Sequence, residues 1–319
     1  MPLHHTFPYL FLALAHGAVY LGAPFPYFVP LVLLVSFVGL DGLFGSSVPT
    51  TGSPFMHRLL LWLYIPLQFA AMAFGAIHAG EGLIPSALST GTVAGVFGML
   101  TAHELIHSRK GWERSLGLAM LIALGYGHFR ISHLQGHHRL AATRDDAATA
   151  RRGESAYRFL ARSIAGQWRF AWQRAPGRVF GYSLASGGIY IGAFLLLGGS
   201  AFAYLLLTSL VAILILELFN YVAHYGLERE VVEGRPLPLT AAHSWNTVRR
   251  FNNWALFNGG RHSHHHGAAA LPYQDLRAVP DAPELPFGFG GSIAAALVPP
   301  LWRRIMDPRI DRYRQSAAT

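Results

Sequence analysis

The amino-acid sequence predicts an all-α fold in which six transmembrane helices form a bundle and two polar segments form a cytoplasmic helical cap. Three observations predict this class. Of the 319 residues, 52% are hydrophobic and only 13% are charged, which is well below the charged fraction of soluble domains. The apolar residues are gathered in six long runs, and the lysines and arginines are gathered in two segments. We therefore expect residues 1–319 to form a single membrane domain.

The six apolar runs are the predicted membrane spans. Several of them are long enough to cross a hydrocarbon core of ~30 Å at ~1.5 Å per helical residue. The first two are short or interrupted by glycine and proline, so we expect them to be tilted or shallow. In chain order the predicted spans lie at about 8–22, 28–45, 58–80, 84–106, 178–197 and 201–224.

The positions of the 25 lysines and arginines predict the orientation, because cationic loops stay on the cytoplasmic side of a membrane. Twelve of them lie within 107–177 and 11 lie within 226–319, whereas the turns on the opposite side contain none. Segments 107–177 and 225–319 and both termini are therefore expected in the cytoplasm, with the bundle in the inner membrane. The net charge of +9 follows from this asymmetry, and we expect no nucleic-acid partner because no module for one is visible.

Histidines carry the chemical information in this sequence, which contains 17 of them. Four groups lie at or just beyond the predicted cytoplasmic ends of spans, in HELIH (103–107), SHLQGHHR (132–139), NYVAHYGL (220–227) and RHSHHHG (261–267). Ionisable groups at this depth are costly and usually functional. Four such groups on one side predict a common metal-binding layer beneath the membrane surface.

Helical spacing predicts which of the first histidines act together. Residues four apart share a helix face, so His103 and His107 are predicted to chelate one ion. The same spacing pairs His133 with His137, while the adjacent His138 points about 100° away and can reach another ion.

In RHSHHHG, His262 and His265 are three apart on one face with His266 beside them, which favours these three as ligands and leaves His264 as a surface or supporting residue. With His224 at the end of the sixth span, the chain offers nine well-spaced histidines. That number fits two ions with four or five nitrogen ligands each, whereas a catalytic zinc site uses three protein ligands. Imidazole suits iron, copper, nickel and zinc alike, so the spacing leaves the metal open.

Two other functions compete with this interpretation. HELIH fits the H-E-x-x-H pattern of zinc proteases, and Asp41 in GLDGLFG resembles the LDG element of intramembrane metalloproteases. In those enzymes the element follows the HExxH helix, whereas here it precedes it. A metal transporter or sensor, the second alternative, predicts ligands near the middle of the bilayer rather than at its boundary.

Taken together, the motifs resemble those of the integral-membrane alkane monooxygenases (AlkB-type), a branch of the fatty-acid desaturase and hydroxylase superfamily. The matching segments are HELIH, GHFRISHLQGHHRLAATRDDAA (127–148), ELFNYVAHYGL (217–227), HSWN (243–246) and RHSHHHGAAALPYQDLR (261–277). The resemblance implies a non-haem di-iron centre, two Fe ions bound by His103, His107, His133, His137, His138, His224, His262, His265 and His266.

The resemblance also implies a reaction and its partners. Two irons use O2 to hydroxylate the terminal C–H bond of a medium-chain alkane or alkyl side chain that enters from the bilayer. Oxidation of a fatty acyl chain by desaturation, hydroxylation or decarboxylation, or of a methyl group on an aromatic ring, is the alternative. The chain lacks cysteine and any flavin or dinucleotide fingerprint, so electrons must come from a partner. The resemblance and charge complementarity predict an acidic rubredoxin or ferredoxin-type donor, with its reductase, that docks on the arginine-rich face.

Within this interpretation, carboxylates are expected to hold the second nitrogen of ligand imidazoles. Glu104 and Asp146 are the main candidates for residues that support catalysis in this way, and Glu217 and Asp275 are further ones. In a zinc protease, Glu104 would instead be a general base.

Some positions depart from the family pattern or match it without being ligands. Ala223 replaces the glutamate of the family's NYxEHYG beside His224, and His264 stands where many relatives have aspartate. His128 and His243 match family positions and are expected to be structural or to support ligands. We expect the iron site to be intact and leave the substrate open.

The residues that line a substrate path are not visible as a pattern. Leu34, Phe37 and Trp62 lie on predicted spans, but an apolar stripe at helical spacing is more often packing than pocket. We expect each of the three to be a packing residue, and the sequence predicts no chain-length preference.

Overall fold

Helices make up nearly all of the regular structure in the computed structural model, which describes residues 3–46, 50, 52–80 and 82–318. Of the predicted domain 1–319, residues 1–2, 47–49, 51, 81 and 319 lie outside the described residues. The first half of the chain contains α1 (Phe7–Leu21), α2 (Phe25–Phe44), α3 (Pro54–Ile77), α4 (Leu83–Val93), α5 (Met99–Ile106), α6 (Gly111–Ala123), α7 (Phe129–Ile131) and α8 (His138–Leu140).

The second half contains α9 (Ala156–Arg174), α10 (Pro176–Leu197), α11 (Gly199–His224), α12 (Arg250–Ala255), α13 (His262–Gly267), α14 (Gly288–Ala296) and α15 (Pro299–Ala318). A small antiparallel hairpin of β1 (Val231–Val232) and β2 (Arg235–Pro236) follows α11. Two helical stretches contain π-helical turns, Ala94–Gly98 between α4 and α5, and Ser132–His137 between α7 and α8.

Within the described residues, five helices are long and apolar enough to cross a membrane: α2, α3, α4 continued through α5, α10 and α11. These correspond to five of the six predicted spans. The first predicted span, 8–22, forms α1, whose 15 residues give a length of only ~22 Å at ~1.5 Å per residue. This is shorter than the ~30 Å hydrocarbon core. The apolar helix α1 packs along α2, α3 and α4.

The close packing of α4 on α11 depends on two glycines one turn apart. A Cβ atom at Gly91 would lie 2.8 Å from the carbonyl oxygen of Thr208, and one at Gly95 would lie 2.9 Å from the Cα atom of Ala212. Small residues four apart let two transmembrane backbones approach closely. This contact places α5, which continues from α4 and carries His103, beside the end of α11.

Replacing Gly91 with alanine is expected to destabilise the protein by about 1–3 kcal/mol, because overpacking at a backbone contact outweighs the better helix propensity of alanine. The melting temperature in detergent, followed by circular dichroism, should fall. Gly187→Ala is the matched control, since a Cβ at this α10 position meets no atom within 4 Å. Equal melting temperatures for the two variants would contradict this packing.

α6 lies in segment 107–177, for which the sequence predicted a cytoplasmic location, yet it packs along α5 and α10. Near its end, the Ser186 hydroxyl of α10 donates to the Ile122 carbonyl (2.7 Å), and the Tyr190 hydroxyl donates to the Ala123 carbonyl (3.3 Å). Tyr190 is roughly four turns into α10. The end of α6 therefore lies between spans, well away from the first turn of α10.

The two polar segments contact each other at the end of the bundle where the histidines lie. The Gly226 amide donates to the Ala150 carbonyl (2.9 Å), and the Arg229 amide donates to the Ala142 carbonyl (2.7 Å). These backbone contacts bring the chain after α11 against the loop that follows α8. The four histidine groups, distant in sequence, are thereby placed next to one another.

Candidate metal centre

The nine predicted ligands converge at one end of the bundle and form two groups. In each group, one ligand nitrogen from every residue lies within 4.8 Å of those from the others. The first group is His103, His107, His133, His138 and His265, and the second group is His137, His224, His262 and His266.

The division of the SHLQGHH histidines differs from the prediction that His133 and His137 bind the same ion. The structure places His133 and His138 in the first group and His137 in the second. The reason is the π-helical turn at Ser132–His137, where i→i+5 hydrogen bonding places residues five apart on one face. The i, i+4 rule for α-helices therefore misassigns this pair.

The last histidine group is also divided between the two sites. His262 and His266, four apart on α13, belong to the second group, and His265 faces the first. The predicted pairing of His262 with His265 is therefore wrong, although both are among the converging residues. His264 belongs to neither group, as predicted, and its Nδ1 accepts a hydrogen bond from the Arg277 amide (3.2 Å).

In the first group, the distances between nitrogens suit a shared metal ion. The Nε2 atom of His133 lies 2.9 Å from that of His103, and 3.0 Å from those of His107 and His138. Two imidazole nitrogens bound at ~2.1 Å to one ion can be at most ~4.2 Å apart. The Nε2 atom of His265 is buried and has no hydrogen-bond partner among the described residues, as expected of a ligand.

The second group shows the same convergence and a supporting carboxylate. The Nε2 atom of His262 lies 3.1 Å from that of His224 and 3.2 Å from that of His266. His137 contacts Asp146 Oδ2 through Nδ1 (2.8 Å), and its buried Nε2 has no hydrogen-bond partner among the described residues. The bond to Asp146 fixes the ring so that Nε2 is available to a metal.

Asp146 is itself held in place as an ionised acceptor. It accepts hydrogen bonds from the Thr149 hydroxyl (2.7 Å) and the Ala148 amide (3.1 Å). Burial by itself raises the pKa of this carboxyl group. The interactions with His137 and Thr149 lower the pKa by more than burial raises it, so the pKa lies below its usual value. The predicted role of Asp146 beside a ligand agrees with this geometry. His224 is oriented differently, since its Nδ1 lies 3.2 Å from the backbone oxygen of His243.

Six of the converging imidazoles outside the spans are neutral at physiological pH, which is the form that binds metal. Burial is the main cause, and the neighbouring histidines add to it. The pKa lies well below the usual 6.5 for His107, His133, His138, His262, His265 and His266.

Glu104 does not hold a ligand imidazole in the part of the chain that the structure describes. It accepts hydrogen bonds from Arg58 Nη1 (2.9 Å) and the Tyr273 amide (3.2 Å), and Arg58 also pairs with Glu113. The prediction that Glu104 orients an imidazole is therefore wrong. Sequence reasoning missed Arg58, although a cation in the first turn of a span was a visible signal.

The remaining candidates lie apart from the histidine groups. Glu217 is bonded to polar side chains of other helices, and Asp275 is exposed, so neither contacts a ligand among the described hydrogen bonds. Asp41 accepts hydrogen bonds from the amide and the side chain of Asn252 and belongs to neither group, which removes the third ligand that a zinc protease would need. His128 is buried against the ring of Tyr126.

A cavity of about 190 Å³ extends from the histidines into the bundle. Its walls are almost entirely apolar and are formed by α2, α4, α11 and α14. Leu34 and Phe37 are among the lining residues, so the prediction that they are only packing residues is wrong. Trp62 lies elsewhere and donates to Glu113 Oε1 (3.1 Å). At the histidine end the cavity is lined by four of the predicted ligands, His103, His133, His262 and His265. An apolar molecule in this cavity would therefore reach both histidine groups.

A second cavity, of about 460 Å³, lies on the other side of the second histidine group; we call it the polar cleft. His137 and Asp146 line its base. Its walls are more polar than those of the first cavity and include four arginines, Arg144, Arg151, Arg162 and Arg169. The sequence showed these arginines only as part of a basic segment.

Comparisons with known proteins agree with this site. The sequence profile described as fatty acid desaturase matches residues 81–288. Alkane 1-monooxygenase 1 of Pseudomonas aeruginosa is 39% identical over 241 residues, which are 71% of this chain and 63% of the relative. Alkane 1-monooxygenase 2 of the same species is 35% identical, over 84% of this chain and 77% of the relative. Alkane 1-monooxygenase 2 of Alcanivorax borkumensis is 34% identical, over 84% and 75%. The chain thus spans slightly less than two thirds of the first relative and about three quarters of the others.

Proposed function

Because the chain belongs to the fatty acid desaturase family and its alkane monooxygenase branch, we propose that it hydroxylates a terminal C–H bond of an alkane or alkyl side chain. The observation that carries this proposal is the apolar cavity that ends at both histidine groups. A carbon chain lying in it would present one end to the metals and keep the rest in apolar surroundings. Such positioning converts binding into selective attack at one carbon.

We propose that each histidine group holds one iron ion, the first with five imidazoles and the second with four. The bound iron pair would supply the activation of O2 and the oxidation of an unactivated C–H bond. The chain contributes nitrogen ligands, the short helix α13 that carries ligands of both groups, and the Asp146 carboxylate behind His137. Orientation of ligand rings by such partners tunes metal affinity and reactivity.

The cavity supports a substrate that comes from the membrane. It is lined by Leu34, which is 38% exposed on α2, and runs along α4 and α5 from Thr92 to Glu104, a distance of ~18 Å at ~1.5 Å per residue. Its apolar walls exclude water and fit an alkyl chain better than a charged head group. This favours an alkane or alkyl side chain over a fatty acid, whose carboxylate would need a polar partner.

We propose that the histidine end of the bundle faces the cytoplasm, that the protein lies in the inner membrane, and that α1 also crosses it. Positive charges are concentrated at this end. His5 Nδ1, just before α1, lies 2.9 Å from the Trp254 oxygen, and Asp41, near the end of α2, accepts from the Asn252 amide. Both contacts are with α12. The start of α1 and the end of α2 therefore lie on the histidine side of the bundle, and the turn that joins the two helices lies on the opposite side.

We propose that an acidic one-electron carrier, a rubredoxin or ferredoxin with its reductase, supplies the electrons. The chain has no cysteine to hold an iron–sulfur centre of its own. Arg144, Arg151 and Arg169 are exposed around the polar cleft, at whose base His137 lies. Such a basic surface would steer an acidic partner towards the second histidine group.

The experiment that tests this function combines metal analysis with product identification. Protein purified without oxygen and reduced by the donor system is given O2 and labelled octane, octanoate and p-xylene in parallel. We expect two irons per chain and 1-octanol as the main product, because the cavity is apolar and reaches both groups. One zinc per chain with no O2 consumption would overturn the proposal. An olefin from octanoate, without alcohol from octane, would overturn the alkane substrate and favour the acyl branch.

A further inference from the structure

Glu217 is a buried carboxylate that belongs to neither histidine group and is not among the proposed metal ligands. Glu217 lies within α11, two turns before His224, and its exposed fraction is 0%. An ionisable residue inside a transmembrane helix is costly and is usually functional. Its position between the two cavities suggests what that function is.

All described hydrogen-bond partners of Glu217 are neutral and donate to it. They are the Tyr126 hydroxyl (2.9 Å), the Ser163 hydroxyl (2.6 Å), the Gln167 amide (2.9 Å to each oxygen) and the Asn220 amide (3.3 Å). A carboxylate accepts all of these bonds. After protonation, either hydroxyl can rotate and accept the new proton, so the site can satisfy both forms of the residue.

These partners connect the polar cleft with the apolar cavity. On one side, Ser132 and Gln167 line the cleft, and the Ser132 hydroxyl donates to Gln167 Oε1 (3.1 Å). Gln167 then donates to Glu217. On the other side, Asn220 donates to Glu217 and also lines the apolar cavity. A continuous hydrogen-bonded path thus runs from polar surroundings, through a buried carboxylate, to the wall of the substrate cavity.

The proposed reaction needs such a path. Hydroxylation takes an alkane, O2, two electrons and two protons to the alcohol and one water, so two protons must reach the cavity in each turnover. Most of the cavity wall is apolar and cannot carry them. The electrons come from the acidic carrier and the protons come from water in the polar cleft.

We propose that Glu217 is a proton-relay residue that takes protons from the polar cleft through Gln167 and releases them to the cavity beside Asn220. Gln167 gives an Nε2 proton to the carboxylate while its Oε1 takes one from the Ser132 hydroxyl, which regains a proton from the cleft, and the amide then returns to its original form. The O–H bond formed on Glu217 breaks when the proton passes into the cavity, towards the oxygen atom that becomes water; the Asn220 amide only donates, so it orients the carboxylate and does not carry the proton. Glu217 is unchanged after each transfer. This inference rests on the proposed monooxygenase function.

The first test replaces Glu217 with glutamine, which keeps the size of the side chain but cannot carry the proton. We expect the iron content and the KM for octane to be unchanged and kcat to fall about 100-fold, within the range for lost proton transfer. O2 that is reduced without hydroxylating octane should be released as hydrogen peroxide. The yield of octanol per electron pair should therefore fall. Glu217→Asp, which keeps a carboxylate, should restore most of the yield. An unchanged kcat and octanol yield in Glu217→Gln would overturn the relay.

The second test needs no turnover. Infrared spectroscopy of the full chain in lipid, after a rapid drop in pH, should show the carbonyl band of protonated Glu217, identified by its loss in Glu217→Gln. Tyr126 is the one titratable group among the described hydrogen-bond partners of Glu217. The infrared band of a tyrosine is distinct from the carbonyl band of a protonated carboxyl group. We expect Gln167→Leu to slow the appearance of the carbonyl band at least tenfold. Gln68→Leu, which removes a buried amide bonded to Tyr64 on α3, should leave the rate unchanged.

The two tests separate the relay from the proposed function. If wild-type protein hydroxylates octane but Gln167→Leu protonates Glu217 as fast as wild type, the relay is wrong and the monooxygenase function stands. If wild-type protein oxidises none of the substrates, the proposed function fails, while slowed protonation in Gln167→Leu still supports a proton path through this residue.

Discussion

Replacing His133 with alanine is expected to remove the metal of the first histidine group and to lower hydroxylation by more than about 100-fold. The Nε2 atom of His133 lies within 3.0 Å of those of His103, His107 and His138, so it is at the centre of the group. Loss of residues that merely orient ligands costs ~10- to 100-fold in metal affinity or activity, and loss of a central ligand should cost more. Metal per chain, measured by mass spectrometry after desalting, should fall from two ions to one.

His264→Ala is the matched control for this prediction. His264 lies on the same short helix as three of the proposed ligands, and its described hydrogen bond is to the Arg277 amide. A substitution of this kind usually changes stability by no more than about 0.5 kcal/mol. Metal content and activity should therefore remain within about twofold of wild type. If His133→Ala and His264→Ala lose equal amounts of metal, the loss reflects a general effect on folding. That result would contradict the assignment of His133 as a ligand.

The sequence was sufficient to predict which histidines converge, but not how they divide. His103, His107 and His224 lie at the ends of apolar helices, and the other six follow in short histidine-rich segments, a placement that is visible without any tertiary information. Their division depends on the π-helical turn at Ser132–His137. A helix with one extra residue per turn has no clear signature in composition, so His133 and His137 were paired by the α-helical rule. Only the surrounding helices decide between the two geometries.

The helical bundle was predicted where hydropathy was strong and missed where it was weak. The five long spans stand out as apolar runs, whereas α6 has only 13 residues and begins with charged ones. Its insertion between α5 and α10 depends on close contact at Gly117, where a Cβ would lie 2.7 Å from the Ala102 carbonyl oxygen. Such a contact between distant residues is a property of the folded bundle, which local composition does not encode.

The carboxylates show the same limit. Within the family resemblance, Glu104, Asp146, Glu217 and Asp275 were all candidates to support ligands, because ligated histidines need a partner for their second nitrogen. In the structure only Asp146 contacts one of these imidazoles among the described hydrogen bonds. Glu104 is instead paired with Arg58, and Glu217 is bonded to Ser163 and Gln167 of α9. Proximity along the chain does not determine which buried donor a carboxylate meets.

Asp146→Ala is expected to weaken metal binding at the second histidine group about 10- to 100-fold and to leave the first group occupied. The carboxylate holds the Nδ1 side of His137 at 2.8 Å, and its removal frees the ring and lowers the basicity of Nε2. The first group has no described contact with this residue. Titration with a chelator should therefore remove one of the two metals at a lower chelator concentration than in wild type, and activity should fall with that metal.

Two further variants separate the charge of Asp146 from its hydrogen bond to His137, and both from a general effect of changing this loop. Asp146→Asn keeps an oxygen that can accept from His137, so it should retain the second metal better than Asp146→Ala and less well than wild type. Asp145→Ala removes the adjacent carboxylate, which is exposed, and should leave the chelator titration unchanged. If Asp146→Ala releases both metals at the same chelator concentration, the two histidine groups do not act as separate sites. If it releases neither, His137 is held by the helix alone, because the π-helical turn would then be sufficient to orient its ring.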